Sequence, residues 1–279
     1  MNALERLGGT LATAMPRIVA CSGGIDSLLL ATIAHRLSPA GTRIAHAISP
    51  AVQTDGTDRV RKRAALEGWT LELVETGEFE DEDYLRNPSN RCYHCKSHLY
   101  ARLADLARGT AGRGVLLSGT NLDDLGEFRP GLIAAEEVQV RHPFVEAGLG
   151  KRAIRELARE LGLPFAELPA SPCLSSRLYT GTRVTPSRLL AVNAGENAVR
   201  TLTGIAVVRC RIREDQVLIE VEPADRDKVT PSVIERVTHA MRSVEAGIAQ
   251  VALDPSPYKA GRSFVLERVS TPHGKEVRA

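Results

Sequence analysis

Over the first 168 residues the hydrophobic positions fall into short apolar runs, each followed by a stretch of helical period. The runs at 17–21, 43–48, 70–74 and 114–117 read as strands, and the stretches at 27–37, 57–67, 96–108 and 151–161 read as helices. Strand and helix in alternation predict an α/β fold with a doubly wound, mostly parallel sheet. The period lapses around 163–186. There Leu168-Pro169-Ala170-Ser171-Pro172-Cys173-Leu174-Ser175-Ser176-Arg177 has the composition of a linker or an active-site loop. Beyond it, 205–213 and 216–222 alternate about Glu214-Asp215 as a hairpin does. A helix over 225–244 and a strand at 249–253 would complete a smaller C-terminal α+β domain. The expected organisation is a domain over 1–168, a loop over 169–186 and a second domain over 187–279.

Composition narrows the class only slightly. A chain of 279 residues is ample for a buried core. Apolar content of 43% and charged content of 25% are those of an ordinary soluble globular protein. A net charge of +2 is too balanced to imply a nucleic-acid partner by itself. No stretch approaches the ~20 apolar residues that span a bilayer. The opening Met1-Asn2-Ala3-Leu4-Glu5-Arg6 carries an acid, and the segment after it lacks the apolar core of a signal peptide. A cytoplasmic protein with no membrane partner is expected. The five cysteines are odd in number and unevenly spaced, which argues against a secreted disulfide framework and for thiols that ligate or react.

The first candidate chemistry lies where the strand at 17–21 gives way to a helix, at Ser22-Gly23-Gly24-Ile25-Asp26-Ser27. Glycines let the backbone approach a ligand, and unpaired N–H groups at a helix N-terminus attract anions. Ser22 and Ser27 add hydroxyl donors, and Asp26 can hold a divalent cation against bound oxygens. The spacing is neither GxxxxGK[ST] nor GxGxxG. It resembles the SGGxDS loop of the PP-loop ATP pyrophosphatase superfamily, whose members grip the pyrophosphate of ATP and transfer AMP to a substrate oxygen. The bland alternative is a Gly-rich turn with no ligand. A second strand-to-turn element, Ser118-Gly119-Thr120-Asn121, precedes Asp123 and Asp124; these acids suit Mg²⁺ or, equally well, a helix cap.

Cys92-Tyr93-His94-Cys95 is a CxxC, open to reading as a redox pair, half a zinc site or part of an iron–sulfur site. Its context is not thioredoxin-like. Cys173 is a third candidate ligand, and three thiolates with no evident fourth suit a cubane cluster with one iron left open. Cys21 reads as a buried strand-end thiol. Strand alternation puts Cys210 on a core face with Val208 and Ile212, opposite Arg209, Arg211 and Arg213. That arginine face suits phosphate or carboxylate, or it is a solvated face paired with Glu220 and Glu222.

Taken together, SGGIDS, NRCYHCK, GTNLDDLGEFRPG, EAGLGKRAIRELARELGLP and SPCLSSR resemble the LarE family over about residues 15–255. Its members are ATP-dependent sulfur transferases that make the nickel-pincer nucleotide cofactor of lactate racemase. The resemblance implies a PP-loop pyrophosphatase fold of the adenine nucleotide alpha-hydrolase-like kind. It also implies adenylation of a carboxylate of pyridinium-3,5-dicarboxylate mononucleotide with release of pyrophosphate, then displacement of AMP by sulfur. ATP with Mg²⁺ is assigned to Ala20, Ser22, Gly23, Gly24, Asp26, Ser27, Gly119 and Thr120. Cys173, Ser176 and Arg177 are assigned with Asp26 to the reacting centre, and Glu196, Arg209 and Arg211 to the substrate; Asp225 or Asp227 matches another acid loosely. The family divides over its sulfur source. In one branch the cysteine matching Cys173 gives up its own sulfur and the enzyme works once. In the other, three cysteines hold a [4Fe–4S] cluster that carries an extra sulfide. Cys92, Cys95 and Cys173 fit the second pattern, with sulfide or a sulfur donor as a further partner and a homo-oligomer as the expected assembly.

Three rival functions remain. A tRNA thiolase would share the loop, the cysteines and the activation chemistry, but the region from Asp225 mixes acids with bases and shows no aromatic strip on which RNA could stack. An ATP-dependent amidating synthetase leaves the cysteines unexplained. A non-catalytic nucleotide-binding regulator would bind ATP without releasing pyrophosphate.

Overall fold

The Asn2 side chain accepts from the Glu5 amide at 2.8 Å, and Glu5 Oε2 accepts from the Asn2 amide at 2.9 Å. This capping box opens α1 (Ala3–Ala12), a helix that the hydrophobic pattern does not announce although Asn-x-x-Glu is a capping signature. The computed structural model describes residues 1–109, 114–126 and 129–265. Glu127 and Phe128 of the second loop motif, and the end of the domain expected over 187–279, lie outside the described residues.

The chain divides into two compact units, Met1–Glu78 with Cys92–Ser171, and Phe79–Arg91 with the chain from Pro172 onward. The first unit continues through β1 (Arg17–Ala20), α2 (Ile25–Leu37), β2 (Thr42–Ile48), α3 (Thr54–Glu67) and β3 (Thr70–Glu75). A short helix, α4 (Glu82–Leu85), lies in the stretch that goes with the second unit. Then come α5 (Arg91–Arg108), β4 (Val115–Ser118), α6 (Gly131–Glu137), α7 (Pro143–Glu146) and α8 (Lys151–Glu160). Each strand of this unit lies within one residue of its expected bounds, whereas the strand expected over 205–213 begins only at Val208. Helix α5 does not begin at 96: it starts at Arg91, where the amide donates to Pro88 O at 3.0 Å, and so carries the CxxC on its first turn. Its buried stripe begins only at Tyr100, and hydrophobic period therefore misses the polar first turns.

The sheet order is β3-β2-β1-β4, with all pairs parallel. Alternate residues of the strands feed two cores. Val19, Ile44 and Leu117 join Leu7, Leu28 and Leu157 of α1, α2 and α8 on one face. Ile18, Ala45 and Leu116 join Tyr100 and Leu103 of α5 and Ala134 of α6 on the other. Helices thus cover both faces, as a parallel sheet requires, and α2 is buried almost all round. Beyond β1 the chain builds outward to β2 and β3, then returns to place β4 on the other side of β1. The carboxyl ends of β1 and β4 flank the topological switch point, where open α/β sheets bind ligands.

In the second unit, α9 (Pro186–Thr203) precedes the antiparallel pair β5 (Val208–Arg213) and β6 (Gln216–Val221), turning at Glu214 with φ 57°. Helix α10 (Pro231–Arg242) crosses over to β7 (Gln250–Leu253), which pairs parallel to β6. The single helix expected over 225–244 is two elements, a 3₁₀ turn at Pro223–Lys228 and then α10. Thr230 caps the second by accepting from Val233 N at 3.4 Å, and Pro231, with no N–H to donate backwards, sits where a helix starts.

Polar contacts tie the stretch Phe79–Arg91 into this unit. Asn87 Nδ2 donates to the carbonyls of Tyr179 at 2.8 Å and Thr182 at 2.9 Å, and Leu85 O accepts from Val184 N at 2.8 Å. Tyr84 is buried with its hydroxyl 2.8 Å from Ser175 Oγ.

Candidate active site

The loop after β1 is shaped from within. Ser27 is buried, donates to Gly24 O at 3.1 Å and accepts from the Ser22 amide at 3.1 Å. Its hydroxyl therefore orders the loop, while exposed Ser22, with Oγ 3.2 Å from Ser27 Oγ, presents the outward hydroxyl. The cap of α2 is Gly24, with no side-chain hydrogen bond, so the first amides of the helix keep their capacity for an anion. Behind the loop, buried His46 spans Cys21 O at 2.7 Å and Thr57 Oγ1 at 2.9 Å, and burial pulls its pKa down.

Two glycines permit close backbone approach. Gly23 has φ +83°, and a Cβ there would lie 2.6 Å from Gly56 O. A Cβ on Gly119 would lie 2.9 Å from Ser27 N, so the β4 loop packs directly on the first turn of α2. Gly23→Ala is expected to cost about 1–3 kcal/mol for the left-handed backbone alone, read as a lowered urea midpoint; an unchanged midpoint would mean that the loop is not held as described.

Asp26 sits at the switch point. Asn121, fully buried, donates Nδ2–H to Asp26 Oδ2 at 3.2 Å. Among the described residues Oδ1 takes no protein donor. Burial, then the neighbouring Asp124 carboxylate, raises the Asp26 pKa above the ordinary range, against smaller opposing effects of Asn121, Lys151 and Arg155. Of the two following acids, Asp123 is a cap: its Oδ2 accepts from the Lys151 amide at 2.6 Å at the start of α8. Asp124 Oδ1 pairs with Arg129 at 2.9 Å and Lys151 at 3.3 Å, while Oδ2 accepts from Asn121 N at 3.2 Å. Asp26 is thus the acid with an oxygen to offer a cation. Thr120 Oγ1 lies 3.0 Å from Ser118 Oγ, which in turn lies 2.8 Å from His142 Nδ1. Ala20 pairs with Ser118 across the ends of β1 and β4.

In the second unit Cys173 is exposed and caps a 3₁₀ turn, Leu174–Arg177. Its carbonyl accepts from Ser176 Oγ at 2.7 Å and Arg177 Nη1 at 3.0 Å, and Arg177 Nη1 also reaches Pro172 O at 2.6 Å. Arg177 has 0% exposure and meets Glu196, itself 1% exposed, through Nε at 2.8 Å and Nη2 at 3.1 Å. Arg200 at 3.0 Å and the Cys210 amide at 3.3 Å complete the donors to Glu196. Arg177 therefore acts on Cys173 through the backbone that carries it.

Of the arginine face of β5, Arg209 and Arg211 are buried and only Arg213 is solvated. Arg211 is buried against Glu220 at 2.7 Å and donates to Ser176 O at 3.1 Å and Lys259 O at 2.9 Å. Arg209, also buried, lies 5.4 Å from the Tyr258 ring centre and donates to Val208 O at 2.8 Å; Arg213 at the strand end is exposed, 4.4 Å over Tyr179.

The cysteines separate by environment. Burial raises the Cys21 thiol to about 11 and drives Cys210 up as well, so both are inert as nucleophiles at neutral pH. Cys92 is exposed and Cys95 half-buried, three residues apart on one helix face. Within each unit, among the described residues, no three Cys, His, Asp or Glu side chains stand together as a metal site.

A parallel sheet with a glycine-lined anion cradle and an acid at its switch point defines a PP-loop-type α/β protein. No family model matches the chain. It is 34% identical over 255 residues to an uncharacterized protein of Synechocystis sp., covering 91% of this chain and 92% of the other. It is 31% identical over 247 residues to the pyridinium-3,5-bisthiocarboxylic acid mononucleotide synthase of Lactiplantibacillus plantarum, covering 88% and 87%. An uncharacterized protein of Methanocaldococcus jannaschii is 26% identical over 243 residues, covering 87% and 90%. The chain belongs to the LarE family.

Proposed function

We propose that the chain is an ATP-dependent sulfur transferase that converts carboxylates of pyridinium-3,5-dicarboxylate mononucleotide to thiocarboxylates. The observation that carries this reading is the anion cradle at the switch point with Asp26 beside it, in a chain related over most of its length to a synthase of the bisthiocarboxylic product. In the first stage a carboxylate oxygen of the substrate bonds to the α-phosphorus of ATP, and pyrophosphate leaves with the electron pair of the broken P–O bond. The amides of the first turn of α2 and the Ser22 hydroxyl bind the phosphates, and Ser27 and His46 hold the loop in shape. Asp26 would hold Mg²⁺, which neutralises charge on the phosphoryl oxygens when bound. In the second stage sulfur bonds to the acyl carbon and AMP departs.

Cys173, exposed on a turn braced by Arg177, is the residue we assign to give or receive sulfur. Cys92 and Cys95, one turn apart on α5, suit two thiolate ligands of a [4Fe–4S] cluster with Cys173 as the third; the cluster, when bound, supplies an iron open to sulfide. In the alternative, Cys173 gives up its own sulfur and is left as dehydroalanine. Among the described residues no helix is long and apolar enough to cross a membrane.

Iron and acid-labile sulfide on protein purified without oxygen decide the sulfur source. About four irons per chain, lost in Cys92→Ala, is the expected result. No iron, with Cys173 losing the elements of H₂S after one turnover by mass spectrometry, would establish the single-use enzyme instead. Neither iron nor a mass change, with no pyrophosphate released, would overturn the transferase reading.

A further inference from the structure

Departing pyrophosphate carries several negative charges, and the loop over 22–27 supplies amides and hydroxyls but no cation. The bases near Asp26 are engaged by protein acceptors. Lys151 and Arg129 share Asp124, and Arg155 donates to Ala166 O at 2.8 Å and Leu168 O at 2.9 Å.

Arg59 is different. It projects from the second turn of α3 and is half-buried. Its Nε donates to Gly23 O, inside the loop, at 3.2 Å. The first turn of α3 presses on the same glycine, with Gly56 O where a Gly23 Cβ would have to go. Among the described residues neither terminal amino group of Arg59 has a hydrogen-bond or ion-pair partner. A guanidinium pinned at Nε to the scaffold still has two parallel donors, the fork that matches a phosphate bidentately. Lysine has one nitrogen and could not brace the loop and reach a ligand in that geometry.

We propose that Arg59 is the pyrophosphate-binding cation of this site. It pairs with oxygens of the β- and γ-phosphates and gains in interaction as the bond to the α-phosphorus breaks and its electron pair passes to the leaving group. No proton moves to or from Arg59. The proposal rests on the nucleotide reading above and adds the residue that takes the charge of the product.

The test is calorimetric titration of the full chain with inorganic pyrophosphate plus Mg²⁺, and separately with AMP. Arg59→Gln is expected to weaken pyrophosphate about 10- to 100-fold, the loss of a charge-assisted pair, while AMP stays within about twofold. Arg59→Lys should recover only part of the loss, and the urea midpoint should hold in both variants. Pyrophosphate affinity unchanged in Arg59→Gln would overturn the assignment. Equal losses for pyrophosphate and AMP would also overturn it and leave Arg59 as a brace for Gly23. A wild-type chain that binds neither pyrophosphate nor AMP would sink the nucleotide reading itself, and this proposal with it.

Discussion

Glu196→Ala is expected to destabilise the second unit by about 3–5 kcal/mol, the usual cost of stripping one partner from a buried ion pair. Glu196 receives four donors from Arg177, Arg200 and the Cys210 amide, and Glu196 and Arg177 are themselves 1% and 0% exposed. Removing it leaves the Arg177 guanidinium in place, still at 0% exposure, with only Ser176 Oγ and the carbonyls of Pro172 and Cys173 for partners. Neutral dipoles do not balance a buried charge. Urea unfolding monitored in the second unit measures the loss. Glu196→Gln should fall between wild type and Ala, because an amide oxygen accepts from Arg177 but carries no charge. Adding Arg177→Met to Glu196→Gln should win back part of the stability, since two neutral groups are cheaper to bury than one unpaired ion. A Glu196→Ala protein within about 1 kcal/mol of wild type would mean that water reaches the pair. The same substitutions test how Cys173 is held. Arg177 ties down the carbonyls of Pro172 and Cys173, so sulfur transfer in Glu196→Ala should fail at temperatures where the wild type is still active.

The forces that hold each part of the chain decide how legible that part is in the sequence. Strands β1 to β4 are legible to within a residue because alternate side chains enter two apolar cores, and period reports apolar burial. The loop over 22–27 is legible because its geometry is local, set by glycines and by Ser27 bonding within five residues. Phe79–Arg91 is not. It joins the second unit through Asn87, Leu85 and Tyr84, whose partners lie more than 90 residues onward, and hydrogen bonds of that range leave no periodic trace. The arginines of β5 show the same limit. Alternation puts Arg209, Arg211 and Arg213 on one face, as observed, but cannot foresee that Tyr258, Lys259 and Arg262 cover the first two. Arg59 and His46 are invisible for a further reason. One lies in a basic run that reads as a solvated helix face, the other in an ordinary strand, and only tertiary placement makes them neighbours of the loop.

Asp26→Asn should lower pyrophosphate release by two orders of magnitude or more, about 3 kcal/mol in the barrier at ~1.4 kcal/mol per decade, while the protein stays at least as stable as wild type. The two halves of this expectation have one cause. Burial and the Asp124 carboxylate hold the Asp26 pKa above the ordinary range, so at neutral pH the ionised side chain is a burden to the folded state. Asparagine keeps the shape and can still meet Asn121, and it removes the like-charge repulsion. The sign comes from linkage: the gain should be present above the folded pKa of Asp26 and vanish as the pH falls below it. The negative charge that burdens folding is the same charge that would hold a cation against the phosphates, and asparagine cannot supply it. Release of pyrophosphate and the urea midpoint, measured on the same preparations, separate the outcomes. Activity retained in Asp26→Asn would remove the acid from the mechanism. Activity and stability lost together would make Asp26 a prop of the loop rather than its metal ligand.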